Sequence, residues 1–302
     1  MSTSPEQAYD LGEPPSARAV GMGGALNALG VSNVALWLNP ANMALARVYH
    51  IEALGAFSPE AKRQTYGLSA VDSVLNTSRL AGGIGGTWSE IDPGGIHRTW
   101  TDLRAALAMP LGDYLAVGAT GRWLRVEQAT GSGPFGPSFA SDGTPNGPLL
   151  NTLTFDVGAT AALGDAFRVG LVGHNLTNPG TALAPTTGAL GVGYGTHDFA
   201  VEADGLLDFT TYHRAMGRIM VGGELFLADR YAVRAGWRYD GGTNVHSPSL
   251  GFGYIDPRWS VEVAVRHDWL SDHAATLAVL SLRYFYDVTG AGATPADTPD
   301  LL

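Results

Sequence analysis

The sequence predicts an all-β fold, a transmembrane β-barrel of the outer-membrane type with about 14 antiparallel strands. Three features of the chain indicate it. Its strands carry apolar side chains on one face and charged side chains on the other, aromatic residues stand at the strand ends, and short turns alternate with longer loops.

The segment from Trp259 to Trp269 shows the alternation most clearly. Successive side chains of a strand point to opposite faces, so one face here is aliphatic with an aromatic at each end and the other is polar. The 10 steps between the two tryptophans, at ~3.3 Å each and tilted by roughly 40°, span about 25 Å, the height of the apolar band of such a barrel. The predicted interfacial aromatics are Phe199, Tyr231, Trp237, Trp259, Trp269 and Tyr284.

Fourteen strands can be counted from Arg47 to Tyr286, with twelve as the alternative because the early, glycine-rich segments alternate less clearly. An even number places both ends of the barrel on the short-turn rim. The predicted strands are 47–57, 63–73, 79–89, 97–110, 114–127, 150–163, 167–176, 186–195, 198–209, 215–228, 231–240, 248–255, 259–270 and 273–286.

The connections differ in length on the two rims. Short turns, each with an aspartate that suits a tight turn, lie at 110–114, 162–167, 194–199, 227–231 and 255–259. The alternate connections are longer, and the longest is Gln128 to Pro148. Outer-membrane barrels have short turns on the periplasmic side and longer loops outside, which sets the expected orientation of the chain.

Composition narrows the alternatives. A soluble β-sandwich also alternates, but lysine usually protects its surface, and Lys62 is the only lysine here. A propeller would show a regular repeat of about 40 residues, which the chain lacks. The net charge of −10 argues against nucleic acid as a partner. No cysteine is present, so disulfides and thiolate metal sites are excluded, and we expect no cofactor, metal or enzyme activity.

The expected location is the outer membrane of a Gram-negative bacterium, among outer-membrane lipids. The start, MSTSPEQAYD, lacks the basic and apolar regions of a signal peptide, so we expect that signal to be absent from this numbering. The chain is predicted to divide into an N-terminal hatch at 1–46, a barrel at 47–286 and a flexible periplasmic tail at 287–302. Within the hatch a short helix is expected at about Gly24 to Leu29, and a turn at Asn39-Pro40.

Two N-terminal motifs carry a family resemblance. ARAVGMGGALNAL at 17–29, followed by WLNPANMALA at 37–46, resembles the start of outer-membrane proteins of the FadL-like superfamily, which includes fatty-acid transporters and PorV-type subunits of secretion machines. A weaker resemblance, to the PorV-like branch of the superfamily, lies in GLVGHNLTNPG at 170–180. The resemblance implies a barrel whose N-terminal segment forms a hatch in the lumen. The hatch residues that match it are Arg18, Gly21, Gly23, Gly24, Asn39 and Pro40.

Charged residues on the inner strand faces nearly balance in sign. They indicate either a salt-bridge lattice that fixes the hatch or a pathway for a charged solute. Arg18, the single basic residue before Arg47, needs an acidic partner on the wall, for which Glu202, Asp204 and Glu262 are candidates. The predicted lumen-facing charges are Arg104, Arg122, Glu202, Asp204, Arg218, Glu224, Arg234, Arg238, Glu262 and Arg266.

Two functions fit these features. The compact loops favour a plugged barrel that serves as a subunit or docking platform of a cell-envelope assembly for secretion, motility or surface display, with other envelope proteins as partners. The alternative is a transporter that binds hydrophobic small molecules such as fatty acids. Fatty-acid transporters of the family have extended outer loops, whereas only 128–148 is long here.

Overall fold

The computed structural model describes residues 16–74, 79–91, 98–127, 148–269 and 275–286. It forms one closed antiparallel barrel of fourteen strands, which confirms the predicted fold and the count of fourteen. Among the described residues no helix is both long and apolar enough to cross a membrane. The strands are β1 (Tyr49–Ser58), β2 (Arg63–Asp72), β3 (Ala81–Ile91), β4 (Arg98–Leu111), β5 (Leu115–Glu127), β6 (Leu150–Leu163), β7 (Phe167–His174), β8 (Thr187–Gly195), β9 (Phe199–Asp208), β10 (Met216–Leu227), β11 (Tyr231–Asp240), β12 (Val245–Asp256), β13 (Trp259–Asp268) and β14 (Ala275–Phe285).

Each strand pairs with its neighbours in sequence, and β1 pairs with β14 to close the ring, as in the pair Glu52 and Arg283. The largest difference from the predicted bounds is the start of β12, which begins at Val245 instead of residue 248. Pro248 lies inside this strand and faces Trp237 of β11, while the ladder to β13 begins only at Ser249. The missing N–H of the proline therefore falls where the β12–β13 ladder is broken.

The two faces of β13 follow the predicted alternation. Val263 and Val265 are 44% and 47% exposed, whereas Glu262 is 1% exposed and Arg266 is buried. Apolar side chains outside and charged side chains inside reverse the arrangement of a soluble protein and match a barrel with a lipid-facing outer wall. The long loop 128–148, the tail 287–302 and residues 1–15 of the predicted hatch lie wholly or almost wholly outside the described residues.

Residues 16–46, which we call the inner segment, are mostly buried against the inner faces of the strands. The segment contains two short helices, α1 (Ala17–Gly21) and α2 (Asn33–Trp37), and a 3-10 helix (Pro40–Ala44). The Ser16 hydroxyl accepts a hydrogen bond from Ala19 N at 3.1 Å and caps α1. α1 packs against β11 to β14, and the 3-10 helix packs against β3 to β6, so the segment reaches across the interior.

The helix expected at Gly24 to Leu29 is wrong, because this stretch forms turns. Gly23 and Gly24 both have positive φ, of 67° and 89°, which breaks a right-handed helix before it starts. The backbone N–H groups of Ala28 and Leu29 donate to Glu202 of the wall. Wall carboxylates thus take the donors that a helix would have satisfied internally.

Candidate functional site

A line of alternating charges joins α1 to the wall. Arg18 Nη2 lies 2.7 Å from Glu224 Oε1, and the other oxygen of Glu224 accepts a hydrogen bond from Arg234 Nε. Arg234 Nη1 lies 2.7 Å from Glu262 Oε2, and Arg283 Nη2 lies 3.4 Å from Glu262 Oε1. Each buried charge here has a partner of opposite sign, which offsets the cost of removing it from water.

The direct partner of Arg18 is therefore Glu224, and the expectation of Glu202, Asp204 or Glu262 is wrong. Glu202 and Asp204 instead bind the turns of the inner segment. Ala28 N donates to Glu202 at 2.6 Å, and Asn27 N donates to Asp204 at 3.1 Å. The Asn27 side-chain amide also donates to Asp204, at 2.8 Å, but the contacts of Glu202 are with the segment's backbone, which no side-chain pattern reveals.

Arg104 of β4 connects α2 to the opposite side of the wall. Its Nη2 lies 3.2 Å from Asp102 Oδ2 and its Nη1 lies 3.5 Å from Asp156 Oδ2. Nη1 also donates to the Trp37 carbonyl at 3.0 Å, and Cζ stands 4.9 Å from the centre of the Trp37 ring. A single guanidinium thus makes two ion pairs, a backbone hydrogen bond and a cation–π contact.

Amide side chains hold the end of the inner segment. Asn39 Nδ2 donates to the Asn27 carbonyl at 2.7 Å and to Thr160 Oγ1 of β6 at 2.9 Å. Asn42 Nδ2 donates to the same Asn27 carbonyl at 3.1 Å. Asn39 Oδ1 accepts from Ala41 N at 3.2 Å and caps the 3-10 helix, whose first residue is Pro40. Proline suits this first position because it lacks the backbone N–H, and an N–H there would have no partner within the helix.

Wall glycines make room for the inner segment, and sequence reasoning missed them. A Cβ on Gly85 would lie 2.8 Å from Leu36 Cδ2, and one on Gly118 would lie 2.6 Å from the Pro40 carbonyl carbon. A Cβ on Gly236 would overlap the backbone of Gly23. The available signal was glycine at alternate positions of a strand, as at 83 and 85 or 191 and 193, which places them on one face.

The structure places all predicted lumen-facing charges on the buried faces of their strands, each no more than 7% exposed. The charged residues near the long-loop rim form a second set of ion pairs. Arg218 Nη2 lies 3.0 Å from Asp240 Oδ2, and Arg266 Nε lies 3.0 Å from Asp268 Oδ1. Arg122 lies 2.8 Å from Asp102. Among the predicted hatch residues all are buried except Gly24, which is half-buried.

The predicted interfacial aromatics all lie on the outer surface, between 38% and 61% exposed. Near the short-turn rim the Tyr254 ring stands 5.6 Å from Tyr231 and 5.3 Å from Trp259. Near the long-loop rim the Trp237 ring stands 5.6 Å from His246. Two belts of rings, one at each end of the strands, are typical of a membrane-embedded barrel.

Four apolar clusters lie on the inside of the barrel, and two of them include residues of β4. The upper cluster, towards the long-loop rim, contains Ile91, Trp100, Leu124, Val126, Leu183 and Ala184. The lower cluster, towards the short-turn rim, contains Ala35, Leu36, Trp37, Met43, Val71, Ala81, Ala106 and Ala108. Within the described ranges no group of three or more His, Asp or Glu side chains could hold a metal ion. The interior therefore offers apolar surface and paired charges.

Comparison with known proteins identifies the fold. Neither a protein-family model nor a curated protein sequence matches the chain. Among solved structures, the CymD monoaromatic hydrocarbon channel is similar with a TM-score of 0.67 and 17% identity over 89% of this chain and 96% of that one. A Pseudomonas aeruginosa FadL homologue matches with a TM-score of 0.65 and 13% identity over 91% and 99%. The P. putida toluene transporter TodX matches with a TM-score of 0.61 and 13% identity over 92% and 99%.

The matched regions cover nearly all of this chain and nearly all of each of the three structures. They confirm, at the level of the fold, the resemblance to FadL-like outer-membrane barrels that the N-terminal motifs indicated. Structural similarity at 13% to 17% sequence identity shows a shared architecture only. Which solute this chain carries depends on the residues of its own interior.

Proposed function

We propose that the protein is an outer-membrane channel for small hydrophobic molecules, with the inner segment as its plug. The observation that carries the proposal is the apolar surface inside the barrel, which includes the upper and lower clusters, in a fold shared with structures named as hydrocarbon channels. A wide barrel without an inner filling would pass polar solutes as well. In this barrel the inner segment occupies the interior, where its short helices contact strands on both sides of the wall.

The sequence alone favours a docking platform, and the comparisons reverse that order. Two of the three structures described above, CymD and TodX, are named as a hydrocarbon channel and a toluene transporter. An enclosed upper cluster that includes Trp100 and Leu124 also fits a solute better than a protein partner, because a partner needs an exposed patch. Contact with outer-membrane lipids is proposed from the exposed apolar wall, and contact with other envelope proteins stays a prediction.

Uptake by intact cells tests the proposed function. The full chain would be placed in the outer membrane of a Gram-negative host that lacks its own hydrocarbon channel. We expect radiolabelled toluene to enter these cells faster than cells without the chain. A disaccharide at the same concentration should enter both kinds of cell at the same rate. Equal toluene uptake with and without the chain, at verified surface levels of the folded barrel, would refute a hydrocarbon channel.

A further inference from the structure

The indole N–H of Trp100 is buried in the upper cluster without a hydrogen-bond acceptor. Trp100 is 2% exposed, and its Nε1 atom has no hydrogen-bond partner in the described part of the chain. The other members of the cluster are aliphatic, so their side chains contain no acceptor. Because a buried indole N–H normally has a partner, this donor points to an acceptor that the wall itself does not supply.

Two tryptophans on neighbouring strands differ from Trp100 in this respect. Trp123 of β5 donates from Nε1 to Asn151 Oδ1 at 2.9 Å. The Nε1 atom of Trp88 on β3 has no protein partner either, but its ring stacks on Tyr66 at 6.1 Å, and Tyr66 is 53% exposed on the outer wall. Trp88 therefore belongs to the outer belt of rings, where an indole N–H meets the lipid headgroup region. Trp100 faces the interior, so its acceptor cannot be a lipid.

Water is poorly suited to this N–H. A buried water is held by about two to four polar groups, and the side chains of the upper cluster around Trp100 are aliphatic. Ser89 pairs with Trp100 across the β3–β4 ladder, but its hydroxyl already forms a hydrogen bond with Thr65 Oγ1 at 2.7 Å. A molecule that brings both an apolar body and an oxygen atom suits the aliphatic side chains and the N–H together.

The charges next to the cluster on the short-turn side are already paired. Arg122 Nη2 lies 2.8 Å from Asp102 Oδ2, and Arg122 Nη1 donates to Asn175 Oδ1 at 3.0 Å. Arg104 lies 3.2 Å from Asp102 and 3.5 Å from Asp156. Two arginines thus face two aspartates. An anionic solute would need a cation that these pairs do not provide, so a neutral oxygen suits the site better than a carboxylate.

The connection between β7 and β8 fixes the remaining side of the cluster. Leu183 and Ala184 of this connection pack in the cluster. Asn175 Nδ2 donates to the Pro185 carbonyl at 2.8 Å, and Asn175 N donates to Asp156 Oδ1 at 2.8 Å, which ties the connection to β6. The apolar surface around Trp100 is therefore held in place before a solute arrives, which lowers the ordering cost of binding.

We infer that the upper cluster binds a neutral hydrophobic molecule with one hydrogen-bond-accepting oxygen, such as an aromatic ketone, an ester or a phenol, and that Trp100 Nε1 donates to this oxygen. The inference rests on the proposed channel function and adds the class of solute. The apolar body of the solute packs on Leu124 and Val126, and its oxygen completes the hydrogen bonding of the indole. A hydrocarbon of the same shape leaves the N–H unpaired and therefore binds more weakly.

Equilibrium binding of two molecules of the same shape tests the inference. Acetophenone has a carbonyl oxygen where α-methylstyrene has a methylene group. The full chain in phosphatidylcholine vesicles is dialysed against each radiolabelled compound, and the uptake of empty vesicles is subtracted. We expect acetophenone to bind roughly 3- to 10-fold more tightly than α-methylstyrene, which is the effect of one neutral hydrogen bond. Equal affinities, or tighter binding of benzoate than of acetophenone, would overturn the inference.

Trp100→Phe removes the N–H and keeps an aromatic ring at the same position. This variant should lose the preference for acetophenone over α-methylstyrene. Trp123→Phe is the matched control, because it removes the same group from a tryptophan whose N–H is bonded to Asn151, and it should keep the preference. A preference that survives Trp100→Phe, or that disappears equally in both variants, contradicts the role of Trp100.

The indole N–H also gives a spectroscopic readout in the unmodified chain. The chain has 7 tryptophans, and the NMR signal of Trp100 is the indole signal that Trp100→Phe lacks. Acetophenone should move this signal downfield, whereas α-methylstyrene should not, and an unmoved signal refutes the hydrogen bond. Absence of toluene uptake by cells would refute the channel function alone, because binding in vesicles and the indole signal do not depend on transport.

Discussion

Arg18 and Glu224 form a buried ion pair, 2.7 Å between Nη2 and Oε1, that ties the start of the inner segment to β10. Arg18 is the only basic residue before Arg47, so the segment has this one cationic anchor. Arg234 also pairs with Glu224, which makes the carboxylate the shared centre of the two arginines.

Glu224→Gln should therefore lower the stability of the folded barrel more than Arg18→Gln does. The first leaves Arg18 without its carboxylate, and breaking a buried pair in this way costs about 3–5 kcal/mol. The second leaves Glu224 paired with Arg234. We expect the urea midpoint of the folded barrel in detergent to fall most for Glu224→Gln, and the double variant to recover part of the loss.

The exposed pair Arg79 and Asp113, 3.9 Å apart, provides the control. Its side chains are 61% and 85% exposed, and removing such a pair changes stability little. An equal drop for Asp113→Asn and Glu224→Gln would show that the Arg18 contact does not hold the inner segment.

How much of this site could be predicted depends on how local the signal is. Alternation along Trp259 to Trp269 is local, so the faces of β13 were predicted residue by residue. The partner of Arg18 depends on how α1 and β10 meet at one height, and the paired residues Arg18 and Glu224 lie 206 residues apart in sequence, which no local pattern records. The turns at Gly24 to Leu29 were missed for the same reason, because Glu202 on a distant strand binds their N–H groups.

Gly236→Ala should displace the inner segment. Its new methyl group would overlap the backbone of Gly23, and backbone cannot rotate away as a side chain can. We expect a measurable conductance in planar bilayers where the wild-type chain conducts little. Gly55→Ala is the matched control, because a Cβ at that strand position meets nothing within 4 Å. Conductance that rises equally in both variants would contradict the close packing at Gly236.

Val263→Arg should hinder insertion into the membrane. Val263 is 44% exposed near the middle of β13, and an arginine on the lipid face at mid-depth costs about 2–4 kcal/mol. Val263→Leu should fold into lipid vesicles as the wild type does. Folding is followed by the shift in gel mobility on heating, and normal folding of Val263→Arg would reject the assigned outer face.

Ala264 is adjacent but faces inward, where it packs in a cluster with Ala17 and Val20. Ala264→Arg should therefore loosen the inner segment and raise conductance, which separates it from the effect at Val263. Identical defects at both positions would indicate that the two faces of β13 are not distinct.

The barrel seam should weaken in acid. Glu60 Oε2 accepts a hydrogen bond from Thr276 N at 3.0 Å, which extends the contact between β1 and β14, and this bond lowers the pKa of Glu60 below its ordinary value of 4.5. The contribution is complete above that ordinary value and is lost as the pH falls through the lowered one. The protection factor of the Thr276 amide, which is its intrinsic exchange rate divided by the observed rate at each pH, should fall over this range in the wild type and stay constant in Glu60→Gln.

Deleting residues 1–38 should open the barrel. The deletion removes Arg18, the turns bound by Glu202 and the tryptophan beneath Arg104, but leaves Asn39 and Pro40 to lead into β1. The remaining wall keeps its own pairs, such as Arg234 with Glu262 at 2.7 Å and Arg104 with Asp102 at 3.2 Å, so the strands should still close. We expect a stable, heat-modifiable barrel that conducts ions steadily in planar bilayers. A deleted form that folds but conducts no better than the full chain would mean that wall side chains fill the interior, and the inner segment would then not be the plug.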